Sequence, residues 1–203
     1  MVKIKSGEEI KMLLYHGTLK SRGEQILKDG KIDCHAKRLY EESYKGILEN
    51  CLTVSEGMII PNTLATTPGY IYCTNSLIYA IYYGNKHAIQ HDENEFYIFK
   101  FDILENKLEP DEDEVRMVLF DNPSKYPTAA ATLEACKSAR YGSCISEFKY
   151  CILPSTHYFD NEHSNLIRNV VSNYAYNPQK SNEYERKYIE KLLNELSEII
   201  DWR

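Results

Sequence analysis

No apolar run in the chain approaches the length of a membrane-spanning helix. The first ten residues, Met1 to Ile10, carry no hydrophobic core of a secretory signal. No Cys-x-x-Cys pair occurs among Cys34, Cys51, Cys73, Cys136, Cys144 and Cys151. These absences point to a cytoplasmic protein with reduced thiols and no membrane partner. A zinc site from Cys34, His35 and Cys51 lacks the paired spacing of structural zinc. Positive charge is also short, with 24 Lys and Arg against 30 Asp and Glu and a net charge of -6. That balance argues against a general nucleic-acid surface, which needs clustered Lys and Arg, but leaves room for a local basic groove. There is no internal repeat and no low-complexity tract.

What is present suits one folded domain. The chain has 203 residues, 43% of them hydrophobic and 27% charged, enough to bury a sizeable core. Residues 13–32 read as strand, turn, helix and stop. Met12 to Tyr15 is a short apolar strand, and Gly17 breaks it and permits close backbone approach. Thr18 or Ser21 caps a helix with Ile26 and Leu27 on its apolar side, and Gly30 ends it. His16, fixed beside the glycine, points into whatever cleft the strand end borders. Residues 69–76 repeat this grammar: Gly69, a strand through Ile71, Tyr72 and Cys73, then Asn75 or Ser76 as a cap. The helix that follows carries Ile78, Ala80, Ile81, Tyr82, Tyr83 and Ile89.

The rest reads in order. Leu39 to Leu48 has helical spacing, and residues 53–68 read as a long loop. His87 and His91, four apart, have a spacing that can hold a metal, but no third ligand is evident. Two cations at a helix C-terminus are the expectation. Glu95 to Ile103 alternates, is rich in Phe, Tyr and Ile through Phe96 to Phe101, and reads as a strand. Leu108 to Glu114 is an acidic, solvated loop, and Val115 to Phe120 another strand. Ala129 to Arg140 is a helix, and Cys144 to Leu153 a late strand carrying Glu147. Leu166, Ile167, Val170 and Val171 suit one helix. Asn182 to Trp202 is an amphipathic helix, with Asn182 and Glu185 as a capping pair. It packs on the same domain or docks a partner such as an inhibitor or antitoxin.

Three of these stretches resemble the ADP-ribosyltransferase fold, in the branch that handles NAD with His, Tyr and Glu, which includes the poly(ADP-ribose) polymerase-like enzymes and their bacterial and phage relatives. The first motif is Tyr15-His16-Gly17-Thr18 with Gly30 closing the helix. The second is Gly69, Ile71, Tyr72 and Ser76, with Ala80 and Tyr82 or Tyr83 on the helix. The third is Ser146-Glu147-Phe148 opening the late strand. The resemblance implies an α+β class with split antiparallel sheets, a catalytic domain over 1–160 and a helical extension over 161–203. It implies an enzyme that moves ADP-ribose from NAD to a protein, DNA or RNA acceptor and releases nicotinamide. NAD is the cosubstrate and no metal is required.

In that chemistry an oxocarbenium-like transition state needs a flat grip on nicotinamide and a nearby negative charge. Tyr72 stacks on nicotinamide, and Tyr82 or Tyr83 closes the other face. The backbone of Gly17 pairs with the carboxamide, flanked by Tyr15, Thr18 and Ser76. His16 bonds a ribose hydroxyl. Glu147 steadies the cation and deprotonates the acceptor. The catalytic set is thus Glu147, His16 and Tyr72. Ile145 stands where the arginine-modifying branch has a second Glu, so that acceptor class is disfavoured. A short chain without regulatory segments favours single transfer, as in a toxin, effector or phage-defence enzyme. Two alternatives stay open: an RNA 2′-phosphotransferase, whose relatives place a second His where Tyr72 stands, and an inactive module that binds NAD or ADP-ribose.

Overall fold

A computed structural model of the chain describes residues 10–34, 69–156, 162–173 and 181–203. The helix expected over 39–48, the loop over 53–68, and His35 and Cys51 lie outside the described residues. The described residues form a mixed α+β fold with two three-stranded sheets. Two compact units divide the chain, one of residues 1–10, 32–72 and 104–145, the other of 11–31, 73–103 and 146–203. The chain passes between them several times, so they do not meet at one point in the sequence.

In the first unit, save for Cys73, β2 (Ile71–Cys73), β5 (Ala139–Tyr141) and β4 (Glu109–Pro110) form one sheet in that order. Glu109 faces Arg140 across the antiparallel β4–β5 pair. Ile32 and Ile145 exchange backbone hydrogen bonds of 2.8 and 2.9 Å. After β4, Asp111 opens a helical turn, Glu112–Glu114, by accepting the Glu114 N–H at 3.0 Å. The turn continues as a π-helix, Val115–Leu119, where a strand was expected. The apolar run misled because it buries only Val115 and leaves Met117, Val118 and Phe120 exposed. With its start fixed by Asp111, the backbone satisfies its own carbonyls instead of a neighbour's. The helix expected over Ala129–Arg140 is α3 (Ala129–Ala135), capped by Thr128. Lys137 takes a left-handed φ of 63°, which ends the turn and releases Arg140 into β5.

In the second unit, β1 (Lys11–Leu19), β3 (Glu95–Leu104) and β6 (Lys149–Pro154) form the other sheet in that order. β3 and β6 run antiparallel, from Glu95 opposite Pro154 to Lys100 opposite Lys149. Strand alternation separates the two faces. Phe96, Ile98, Cys151 and Leu153 join one core cluster. Tyr97 stacks on Phe99 and on Tyr150, the latter with centroids 5.9 Å apart, and Phe148 meets Phe99 edge-on. The core is completed by α2 (Leu77–Gln90), α4 (Glu162–Val171) and α5 (Glu183–Ile199) through Ile78, Ile81, Ile167, Val170, Ile189, Leu192 and Leu196. The capping box of Asn182 and Glu185 is present at the start of α5. β1 is longer than expected and runs through Gly17 directly into α1 (Lys20–Asp29). Neither expected cap acts: Thr18 is buried within the strand, and Ser21 bonds Glu93 at 2.6 Å. Gly30, at φ 67°, closes α1.

Candidate functional site

The first motif and the helix of the second meet in the second unit. Tyr15 and Thr74 exchange backbone hydrogen bonds of 2.8 and 3.0 Å. Ser76 caps α2 by accepting the Tyr79 N–H at 3.4 Å. A Cβ on Gly17 would stand 1.9 Å from the Ala80 carbonyl oxygen and 2.9 Å from the Gly84 amide. The missing side chain of Gly17 therefore lets α2 lie against β1, a packing role the sequence did not reveal. N–H and C=O groups alternate between strand edges. Those of Tyr15 go to Thr74, so those of Gly17 are directed to the same edge, one step further along.

The remaining residues of the first motif divide by alternation. Tyr15 shares the face of Gly17 and packs on Trp202, ring centroids 6.2 Å apart, both partly buried against the core cluster. Burial raises its phenol pKa. His16 takes the opposite face, as does the buried Thr18.

On α2, Tyr79, Tyr82, Tyr83 and His87 form one aromatic row. The Tyr79 and Tyr83 centroids are 4.9 Å apart, Tyr82 meets Tyr83 edge-on, and His87 follows at 6.1 Å. The Lys86 ammonium stands over both Tyr82 and Tyr83, at 6.0 and 5.4 Å. Burial, reinforced by the neighbouring His16, Lys86 and His91, lowers the His87 pKa to about 4. His87 is therefore neutral at pH 7, and the pair of cations expected at this helix end is corrected there. Among the described residues no three His, Cys, Asp or Glu side chains are grouped to hold a metal ion.

Tyr72 lies in the first unit, on β2. Its hydroxyl donates to Asp113 Oδ2. Arg140 approaches the same oxygen at 3.8 Å, and its guanidinium covers the Tyr70 ring at 4.6 Å. Tyr70 in turn donates to Glu109 at 2.9 Å. The acidic stretch is thus not the solvated loop expected. Asp111 is 1% exposed and accepts from Ser138 at 2.6 Å, and burial pushes Glu114 up to about 7. Asp113 and Arg140 escaped the sequence reading because their link to Tyr72 joins residues 41 or more positions apart.

Glu114 and His87 give opposite pH dependences. The folded Glu114 pKa lies above its ordinary value of 4.5. Its contribution is full below pH 4.5 and is lost as pH rises through about 7. The folded His87 pKa lies below its ordinary 6.5, so stability is lost as pH falls from 6.5 towards about 4. Each shift corresponds to of order 3 kcal/mol. Glu114→Gln is expected to raise the urea midpoint at pH 8 and leave it unchanged at pH 4.5. His87→Gln is expected to flatten the loss between pH 6.5 and 4.5. Midpoints that move equally at all pH values would contradict both assignments.

Glu147 stands exposed in a bend, two residues before β6 begins at Lys149. The late strand is therefore shorter than expected at its start, and Ile145 forms an isolated bridge instead. Compared with protein-family models, with curated proteins and with solved structures, the chain matches none.

Proposed function

We propose that the chain is an NAD-dependent mono-ADP-ribosyltransferase. One observation carries the reading: the two motif segments meet as a unit, Tyr15 bridged to Thr74 and Gly17 seated on Ala80 and Gly84. Segments 60 residues apart in sequence, similar to two nucleotide-handling motifs, thereby share one strand edge. The backbone N–H and C=O of Gly17, directed at that edge, would take the nicotinamide carboxamide. His16 would bond a ribose hydroxyl. Tyr82 or Tyr83 would close one face of the nicotinamide ring, and the stacking role of Tyr72 is what the motif resemblance implies.

The bond between the nicotinamide nitrogen and ribose C1′ breaks, and its electron pair leaves on neutral nicotinamide. A bond forms between C1′ and the acceptor, and the acceptor proton passes to Glu147. Glu147, being exposed, is accessible to an acceptor. The charge balance of -6 favours a protein or a small polar acceptor over nucleic acid. In the cell such an enzyme would act as a toxin, effector or phage-defence protein, and it would work in the cytoplasm.

Glu147→Gln is expected to lower transfer at least about a hundredfold while NAD affinity stays within roughly tenfold, because the lost contact belongs to the transition state. Single-turnover transfer and calorimetric titration read the two quantities separately. Unchanged transfer would remove Glu147 from the mechanism. Its position outside β6 favours a second reading, a module that binds NAD or ADP-ribose without turnover. A wild type that binds NAD and releases no nicotinamide would establish that module.

A further inference from the structure

We propose that Asp113 is a positioning residue that fixes the Tyr72 ring for stacking on nicotinamide. The inference rests on the transferase reading and extends it to a carboxylate outside the His-Tyr-Glu set. β2 is three residues long, and Tyr72 is its central one. A bond at the far end of the ring adds a restraint on its orientation that the strand backbone does not itself provide. The Tyr72 hydroxyl makes that bond to Asp113 Oδ2.

Asp113 is itself held. It lies in the helical turn that Asp111 opens, and Asp111 is anchored by Ser138 at 2.6 Å and by Thr132, whose hydroxyl accepts its N–H at 3.2 Å. Arg140 faces Asp113 Oδ2 at 3.8 Å, and Arg116 faces Oδ1 at 3.6 Å. The Arg140 side chain is only 9% exposed and lies on Tyr70, which closes the arrangement through Glu109. Among the described residues, Arg140 Nε has no hydrogen-bond partner. Stacking and charge therefore fix the guanidinium, and Asp113 supplies an opposing charge. Asp113 thus has two separable roles, acceptor for Tyr72 and counter-charge for Arg140.

Asp113→Asn keeps an acceptor and loses the charge, whereas Asp113→Ala loses both. Carbon-13 NMR of tyrosine-labelled full-length protein, with the Tyr72 signal assigned by its loss in Tyr72→Phe, reads the ring directly without NAD. Calorimetric titration with NAD reads the consequence. The Tyr72 signal is expected to move in Asp113→Ala and to stay in Asp113→Asn. The Kd for NAD is expected to rise roughly tenfold in the first and stay within about threefold in the second. A Tyr72 signal unmoved in Asp113→Ala, or an Asn variant that behaves like Ala, would overturn the positioning role. If Asp113→Ala does not fold, Tyr72→Phe removes the same bond from the other end. An unchanged Kd there would overturn the proposal equally. A wild type that binds no NAD, with the NMR pattern as expected, would instead overturn the transferase reading and leave Tyr72 restrained by Asp113.

Discussion

Deleting residues 182–203 is expected to unfold the second unit rather than free an independent domain. α5 places Ile189, Leu192 and Leu196 in the core cluster, and Ile200 follows just beyond its end. Fully burying each such side chain contributes roughly 1.5–3 kcal/mol, so the four together rival the whole stability of an ordinary domain, about 5–15 kcal/mol. The loss does not stop at the helix. Arg203 pairs with Tyr150 through backbone hydrogen bonds of 3.0 and 3.1 Å, and this covers the outer edge of β6. Trp202 fills space beside Tyr15, and Lys100 covers its ring at 4.5 Å. The truncated protein should lose its cooperative thermal transition by circular dichroism and aggregate. A truncation that melts like the full chain would show that the face of α5 is a docking surface.

Gly17→Ala carries the second-largest expected effect, and it separates two reasons for the same glycine. If Gly17 is needed only for close approach of a ligand, alanine should weaken NAD binding and leave stability alone. The packing gives the other result. The new methyl would stand 1.9 Å from the Ala80 carbonyl oxygen and 2.9 Å from the Gly84 amide, both backbone atoms that no rotamer change relieves. If α2 retreats from β1 it also opens its contact with the neighbouring β3, where a Cβ at Gly84 would meet the Phe96 ring at 2.6 Å, so the relief itself costs core packing. Separation of α2 from β1 is expected to cost roughly 3 kcal/mol, about 10 °C in a melting curve for a chain of this size. A variant with wild-type melting temperature and impaired NAD binding would contradict the packing role.

These two cases show what the sequence could and could not reveal. α5 was legible because its apolar residues follow the 3.6-residue period for several turns and its first turn carries a capping pair. β3 was legible through its alternation of large apolar residues. Gly17 was visible as a glycine that permits close approach, but its partner, the backbone of α2, lies more than 60 residues away and leaves no local mark. The acidic stretch failed for the same reason. Asp111 is buried among distant partners, Thr132 and Ser138, which lie 21 and 27 positions along the chain. The run after it, Val115 to Leu119, has a strand's composition, yet the cap at Asp111 commits the backbone to helix first. Of the candidate site, the pairing of the first two motifs is carried by Tyr15 and Thr74. The grip on Tyr72 through Asp113 had no sequence signal at all.

The central claim is tested most directly by incubating the full-length protein with NAD labelled in its adenylate part, separately with cell-extract protein, with DNA and with RNA. The transferase account predicts covalent label in one acceptor, the protein pool foremost, with nicotinamide released in equal amount. No label in any pool and no release of nicotinamide would contradict it.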